Sequence, residues 1–174
     1  MKKIILTAVI AVVSMTAVMA QEAVFGAKAG YTLIGSKVTT DGQEFTGSAS
    51  GFHVGFTTDV QIGNQLYVAP ELLFTMVFEG GTDLKFLQVP LFLKYYAADK
   101  FYVNGGPQIT YTLEEISDDF TKFNVGFGAG LGYEFTDNFY GNFRTVYQLN
   151  NYYTGDADVK SRNSIFNLGF GFKF

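Results

Sequence analysis

Residues 123–135 read FNVGFGAGLGYEF, and large and small side chains alternate along them. The odd positions carry bulky or apolar residues, whereas four successive even positions, from Gly126 to Gly132, are glycine. A period of two residues indicates a β-strand. Because one face is bulky and the other nearly bare, the strand fits a narrow closed sheet in which other side chains lie close to the bare face. An outer-membrane barrel, which is apolar outside and small and polar inside, has this cross-section.

The composition and the first residues indicate an exported, strand-rich chain. It has 174 residues, with 19 Phe, 11 Tyr, 20 Gly and no Trp or Cys, as is typical of strands and close backbone approach. Lys2 and Lys3 precede an apolar run at 4–13 and small residues at 18–20, which predicts a signal peptide over residues 1–20. Residues 21–174 would then form one barrel domain. Without cysteine, an exported chain has no disulfide, thiolate nucleophile or cysteine zinc site, and a net charge of −4 does not favour nucleic-acid binding.

Seven further stretches alternate in the same way. The eight predicted strands cover residues 25–34, 48–60, 66–78, 83–96, 101–113, 123–135, 139–149 and 163–174. Each is long enough for the about 9 to 11 residues that a tilted membrane strand needs. No later apolar run reaches the length of a membrane-spanning helix, so a closed barrel is the structure that satisfies the backbone in lipid. The sequence therefore predicts an all-β fold, an eight-stranded antiparallel up-and-down transmembrane β-barrel.

The predicted connections alternate in length. Longer polar ones are expected at 35–47, 114–119 and 150–162, and short ones at 62–65, 79–82, 97–100 and 136–138. Apart from 79–82, this is the pattern of short periplasmic turns and longer outer loops, which places both termini on the periplasmic side. Pro70 removes a ladder donor from the third strand and predicts a bulge there. A soluble lipocalin-like barrel would also alternate, but the bulky side chains are too large to fit inside eight strands.

Four segments carry a resemblance to a known family: GAKAGYT at 26–32, LQVPLFLKYY at 87–96, YVNGGPQI at 102–109 and VGFGAGLGYEF at 125–135. In order and spacing they are similar to successive strands of the small outer-membrane β-barrel family common in Bacteroidetes, the porin or PorT-like family. The chain ends with Phe170, Phe172 and Phe174 at alternate positions, which resembles the terminal signal that barrel-assembly machinery recognises. The resemblance implies a bacterial outer-membrane location, with membrane lipid and that machinery as partners.

The polar face of the predicted strands carries ionisable residues that must pair if they point inward, since an isolated charge in a narrow lumen is costly. We expect a central cluster of Glu71 with Lys94 and Arg144, and Lys28 in the same network. The glycine face of residues 126–132 would leave room for Arg144. Two interpretations stay open, a plug of ion pairs that fills the barrel and a conducting polar path or binding site.

Other candidates for chemistry lack the partners that they need. His53 is the only histidine, and Ser48 and Ser50 are its nearest potential nucleophiles, without a recognisable catalytic motif. Asp156 and Asp158 could contact calcium weakly or simply be solvated. No helix start accompanies the glycines, which argues against a dinucleotide site. We therefore predict no cofactor, metal or catalytic residue.

Tyrosines near the strand ends favour interfacial girdles. This group contains Tyr31, Tyr67, Tyr95, Tyr102, Tyr133 and Tyr147. Tyr152 and Tyr153, with Asp156, are the candidates for exposed loop contacts.

Three functions remain. The first is a non-enzymatic barrel, expected as a monomer, that acts structurally or through the loops at 35–47 and 150–162 on an unknown external partner. The second is a narrow pore for small solutes, and the third an outer-membrane lipid-modifying enzyme.

Overall fold

A computed structural model of the chain describes residues 23–40, 42–79, 82–116, 120–154 and 159–174. The predicted signal peptide and Asp156 and Asp158 lie outside the described residues. The strands are β1 Ala23–Thr40, β2 Gln43–Gln61, β3 Leu66–Glu79, β4 Thr82–Ala98, β5 Phe101–Thr112, β6 Phe123–Glu134, β7 Phe139–Gln148 and β8 Val159–Lys173. Among the described residues, no helix is long and apolar enough to cross a membrane.

Each strand pairs antiparallel with its neighbours in sequence, and β1 also pairs with β8, so that the sheet closes. The predicted eight-stranded antiparallel barrel is confirmed. Closure leaves no sheet edge along the paired wall, which is what a barrel in lipid requires.

The two faces of the wall are as the alternation predicts. On β6, Phe127 is 55% exposed and Leu131 is 48% exposed, whereas the alternate positions carry glycine. On β8, Phe166, Leu168, Phe170 and Phe172 lie on the outer face, and Asn167 is buried between them on the inner face. The bulky residues therefore form the outer surface, and the polar and small residues line the lumen.

The prediction of a polar loop at 35–47 is wrong. Residues 35–40 continue β1 and residues 43–47 continue β2, and the two strands stay paired from Gly35 opposite Ser48 to Thr40 opposite Gln43. The residues before the turn are Val38, Thr39 and Thr40, whose β-branched side chains favour strands. Gly42, with φ of 77°, supplies the left-handed conformation that a tight hairpin turn needs.

The hairpin also extends β8. Val159 pairs with Thr40 and Arg162 with Lys37, so that β8 begins four residues before the predicted start at Asn163. The loop between β7 and β8 is correspondingly shorter than the predicted 150–162.

Pro70 causes no bulge. Its register with β4 continues from Pro70 opposite Leu91 to Leu73 opposite Gln88, without a shift. A proline removes one hydrogen-bond donor but inserts no residue, so the ladder can lose a bond and keep its register. The register shift lies instead between β4 and β5, at Tyr96 and Ala98.

Candidate functional site

The lumen is the candidate site, and its side chains form three layers along the barrel axis. We call them the terminal layer, at the end that carries the chain termini, the middle layer around Glu71, and the distal layer at the opposite end. Strand alternation points these side chains inward from every strand of the barrel.

The middle layer is centred on a carboxylate with two cations. Arg144 donates from Nη1 to Glu71 Oε2 at 2.9 Å and from Nη2 to Glu71 Oε1 at 2.8 Å. Lys28 donates from Nζ to Glu71 Oε2 at 3.1 Å. The Arg144 guanidinium carbon also lies 4.1 Å from the centre of the Phe92 ring. All four side chains are buried. The bidentate pair is therefore shielded from water, and such charge-assisted hydrogen bonds are stronger in that environment than in water.

His53 belongs to this layer, and the hydroxyl beside it is that of Thr32. Its Nδ1 lies 2.9 Å from Thr32 Oγ1, and that hydroxyl donates to Asn167 Oδ1 at 2.8 Å. Because the Thr32 hydrogen is used for Asn167, His53 Nδ1 must be the donor to Thr32. Ser48 and Ser50 have the opposite parity on β2 and lie on the outer face. The structure therefore does not bring the histidine and the serines together.

The terminal layer holds Lys94, which does not join the predicted cluster. Lys94 Nζ lies 2.7 Å from Asp59 Oδ2 and 3.6 Å from Glu134 Oε1. The reason is the register, since Lys94 faces Tyr67 on β3, four residues nearer the terminal end than Glu71. Glu134 also contacts Lys173 and Tyr96. Sequence alternation puts these charges on the inner face, but their grouping follows from strand stagger, which alternation does not give.

Tyrosines surround Lys94. Its Nζ lies 4.0 Å from the ring centre of Tyr102 and 4.9 Å from that of Tyr96, in the range of cation–π contacts. Tyr102 is buried and Tyr67 stacks edge-on against Tyr96, so neither Tyr102 nor Tyr67 belongs to the interfacial girdle. Both have the inward parity of their strands. Tyr31, Tyr95, Tyr133 and Tyr147 do lie on the outer face.

The glycine face of β6 makes room for rings rather than for Arg144. A Cβ added at Gly128 would lie 2.6 Å from Phe92 Cζ, and one at Gly132 would overlap the Tyr102 ring. The glycine strip at 126–132 is therefore the surface against which Phe92 and Tyr102 pack.

The distal layer is mainly apolar. Its buried apolar side chains are Ile34, Ala49, Val77, Phe86, Val146 and Ile165. On β5 and β6 the buried side chains at this end are polar, namely Thr110 and Asn124. Residues of both kinds line a cavity of about 30 Å³, which is room for about one water molecule and not for a continuous column of water.

Tyr152 and Tyr153 are less exposed than predicted. Both pack against Phe120 of the neighbouring loop, with ring centres 5.2 and 5.6 Å apart, and Phe120 pairs with Tyr153 through the backbone. Burial raises the pKa of the Tyr152 phenol. The two tyrosines thus hold the β5–β6 and β7–β8 connections together over the distal layer, because packing of the aromatic rings against each other removes apolar surface from water.

Polar atoms without a protein partner also lie in the lumen. Among the described residues, both amide atoms of Gln88, Oε1 of Gln108 and Oγ1 of Thr75 are buried and make no hydrogen bond. At the terminal end, an open cup of about 420 Å³ is lined by Asp59, Tyr96, Glu134 and Lys173, among others. In the part of the chain that the structure describes, no group of three His, Cys, Asp or Glu residues could hold a metal ion.

Comparison with known proteins gives one family match and a shared fold. The family model described as outer membrane protein beta-barrel domain matches residues 5–174. The crystal structure of Ail, the attachment invasion locus protein of Yersinia pestis, is similar with a TM-score of 0.55 at 18% identity, covering 88% of this chain and 100% of that one. Neisserial surface protein A is similar with a TM-score of 0.53 at 21% identity, covering 86% and 97%. No curated protein matches the chain.

Proposed function

Since the chain belongs to the outer membrane protein beta-barrel domain family, we propose that it is a non-enzymatic outer-membrane protein whose lumen is filled by its own side chains. It acts as a structural component of the envelope or through the connections at its distal end. The hydroxyl beside His53 belongs to Thr32 and is held by a hydrogen bond to Asn167. This arrangement supports the non-enzymatic part of the proposal, because catalysis needs a constellation and not one residue.

The ion pair between Glu71 and Arg144 is the observation that supports a filled lumen. Glu71 is on β3 and Arg144 is on β7, which are four strands apart in a ring of eight and hence on opposite walls. Their bidentate contact at 2.8 and 2.9 Å spans the barrel. Lys28 reaches the same carboxylate from β1, and Phe92 covers the guanidinium. An eight-stranded barrel is only wide enough for side chains, so a bridge between opposite walls leaves no continuous path.

Planar-bilayer recording of the purified protein tests this proposal. We expect no steady single-channel steps from the unmodified protein, and none from Lys37→Ala, which removes an exposed cation. Arg144→Ala opens the middle layer and can introduce leak, but the distal apolar layer remains. Steady steps from the unmodified protein that change in size on Arg144→Ala would contradict the filled lumen.

The second candidate is a narrow pore, and one observation favours it. The unpaired atoms of Gln88, Gln108 and Thr75 form a polar lining next to the ion pairs, and such atoms are usually solvated by bound water. A conducting barrel would use them to replace the hydration of a small solute. The bilayer experiment separates the two candidates directly.

The sequence supports three narrower proposals, on the family, the signal peptide and the C-terminal assembly signal. Membership of the porin or PorT-like barrels common in Bacteroidetes is supported by the four segments at 26–32, 87–96, 102–109 and 125–135. We also propose a cleaved signal peptide over residues 1–20 and recognition of Phe170, Phe172 and Phe174 by the assembly machinery. The outward position of Phe170 and Phe172 on β8 leaves their rings accessible for such recognition.

A further inference from the structure

The middle layer carries more positive than negative charge. Lys28 and Arg144 are two buried cations, and both contact the single carboxylate of Glu71. Among the described residues, no second carboxylate lies within ion-pair distance of either cation. With His53 neutral, two cations and one carboxylate give the layer a net charge of +1. A buried charge without a counter-ion is costly, because the protein interior solvates it far less well than water does.

The other carboxylates of the lumen are already paired with lysines. In the terminal layer, Asp59 contacts Lys94 and Glu134 contacts Lys173, so that this layer is balanced by itself. The acidic residues whose side chains the structure does not describe precede β1, end β3 or connect two strands. They are Glu22, Asp41, Glu79, Asp118, Asp119, Asp156 and Asp158. None of these occupies a position of the barrel wall in the middle layer.

Two hydrogen-bond donors of the middle layer also have no partner. Arg144 uses Nη1 and Nη2 for Glu71, and its Nε is buried without a hydrogen bond. Asn167 accepts from Thr32 through Oδ1, so that its unused atom is Nδ2, a donor. Asn167 on β8 stands directly opposite Arg144 on β7, and each of the two residues is 1% exposed. The free N–H groups therefore belong to neighbouring residues on the inner face of the wall.

We propose that the middle layer binds one small monovalent anion, of the size of chloride, at Arg144 Nε and Asn167 Nδ2. Unpaired buried donors indicate a bound water or ion. A water molecule satisfies the same donors but leaves the excess charge in place, whereas one monovalent anion removes it. An eight-stranded barrel is only wide enough for side chains, which disfavours a larger polyatomic anion.

The proposal rests on the filled lumen, since ions of a water-filled lumen would screen the excess charge without a specific site. The distal layer closes the site on one side, and the paired charges and tyrosines of the terminal layer close it on the other. The anion is therefore enclosed when the barrel forms and released when it unfolds.

Urea unfolding of the full mature protein in lipid vesicles tests the site, with chloride replaced stepwise by gluconate at constant ionic strength. Gluconate is a monovalent anion that is too large for the enclosed site. A single site present only in the folded state should lower the unfolding equilibrium constant by up to about tenfold for each tenfold rise in chloride. Bromide should act like chloride. In crystals grown from bromide, its anomalous signal should lie beside Arg144 and Asn167.

Two variants supply or remove charge at the site. Asn167→Asp places a fixed carboxylate where the anion is proposed, and its Oδ1 can still accept from Thr32. It should unfold less readily than the unmodified protein in gluconate and should lose the chloride dependence. Lys28→Gln removes the excess charge and should lose the dependence as well.

The matched control is Lys94→Gln, which removes a lumen lysine from the terminal layer and should keep the chloride dependence. Lys37→Gln, at an exposed lysine, is a second control with the same expectation. Loss of the dependence in Lys28→Gln and in both controls alike would show a general effect of salt and would overturn the proposal.

Three further outcomes would overturn it. One is unfolding of the unmodified protein that does not depend on chloride, and another is destabilisation by Asn167→Asp in gluconate, which would mean that the layer has no excess charge. The third is a bromide signal at the site without any effect of chloride on stability, which would indicate an adventitious ion only. Failure of the filled lumen itself is distinguishable, because it appears as steady channel steps in the bilayer recording.

Discussion

Glu71 is the residue on which the middle layer depends, because one carboxylate balances two buried cations. Arg144 uses both of its terminal nitrogens on it and Lys28 donates to one of its oxygens. Removing Glu71 would leave Lys28 and Arg144 buried without the carboxylate that pairs with both of them. Removing either cation would leave Glu71 paired with the other one.

We therefore predict that Glu71→Gln destabilises the barrel by about 3 to 5 kcal/mol, the usual cost of breaking a buried ion pair from one side. Lys28→Gln should cost clearly less, since Arg144 still holds Glu71. Urea unfolding in lipid vesicles measures both. As a control, Lys37→Gln in the exposed pair with Glu44 should change stability by at most about 1 kcal/mol. Equal stability of Glu71→Gln and the unmodified protein would show that the contacts of Glu71 with Arg144 and Lys28 do not stabilise the barrel.

Residue identity and parity are enough to place the charges on the inner face, but not to pair them. The sequence groups Lys94 with Glu71 because both lie near the middle of their strands. In the tilted barrel, equal distance from a strand end is not equal height, so Lys94 meets Asp59 and Glu134 instead. The stagger between strands depends on the closed register, which no single strand encodes.

At the scale of the strand, the bare face of β6 is a packing surface with a different neighbour at each glycine. The nearest atoms to a Cβ at Gly132 belong to the far end of the Tyr102 side chain. At Gly130, the nearest atom is the backbone carbonyl oxygen of Phe143, which cannot move aside. The two glycines should therefore respond differently to a compensating change.

We predict that Gly132→Ala costs about 1 to 3 kcal/mol, as overpacking usually does, and that its cost falls in a Tyr102→Leu background. A double-mutant cycle on unfolding free energies gives the coupling, which should be about 0.5 to 3 kcal/mol. Gly130→Ala should cost the same in both backgrounds. Additive costs for Gly132→Ala and Tyr102→Leu would mean that the ring does not pack on the strand.

The outer face of β6 allows a second prediction. Leu131 lies near the middle of the apolar belt, and Arg there should cost about 2 to 4 kcal/mol and hinder insertion. Leu149, which is 55% exposed against 48% for Leu131 but follows β7 at the distal end, is the matched site. Leu149→Arg should cost about 0 to 1 kcal/mol, as near an interface. Insertion is measured by the difference in gel mobility before and after boiling. Normal insertion of Leu131→Arg would show that the outer and lumen faces are assigned the wrong way round.

Strand positions inside the membrane were predictable because alternation there is enforced by lipid on one side and packing on the other. Beyond the membrane that constraint ends. Residues 35–47 look like a polar loop, yet they form a paired hairpin, because polar β-branched residues such as Thr39 and Thr40 are stable in a solvated strand. Polarity alone cannot distinguish a solvated strand from a loop.

For the whole molecule, closure and filling are linked. The β1–β8 pairing sets a ring of eight strands, and that ring is narrow enough for Arg144 and Glu71 to meet across it. Eight strands follow from counting alternating segments, so the fold is predictable from the sequence. The apolar distal layer and the tyrosines around Lys94 are not, because they form only when residues from several strands reach the same height.

The absence of cysteine from the sequence allows accessibility to be measured at single introduced thiols, and this is the most direct test of a filled lumen in an apolar wall. The sites are Gln108→Cys in the lumen, Phe127→Cys on the outer wall and Phe45→Cys on the exposed hairpin. We predict that a charged, water-soluble thiol reagent labels only Phe45→Cys and that a lipid-soluble reagent also labels Phe127→Cys. Gln108→Cys should react only after unfolding. Labelling of folded Gln108→Cys by the water-soluble reagent as fast as Phe45→Cys would contradict the filled lumen.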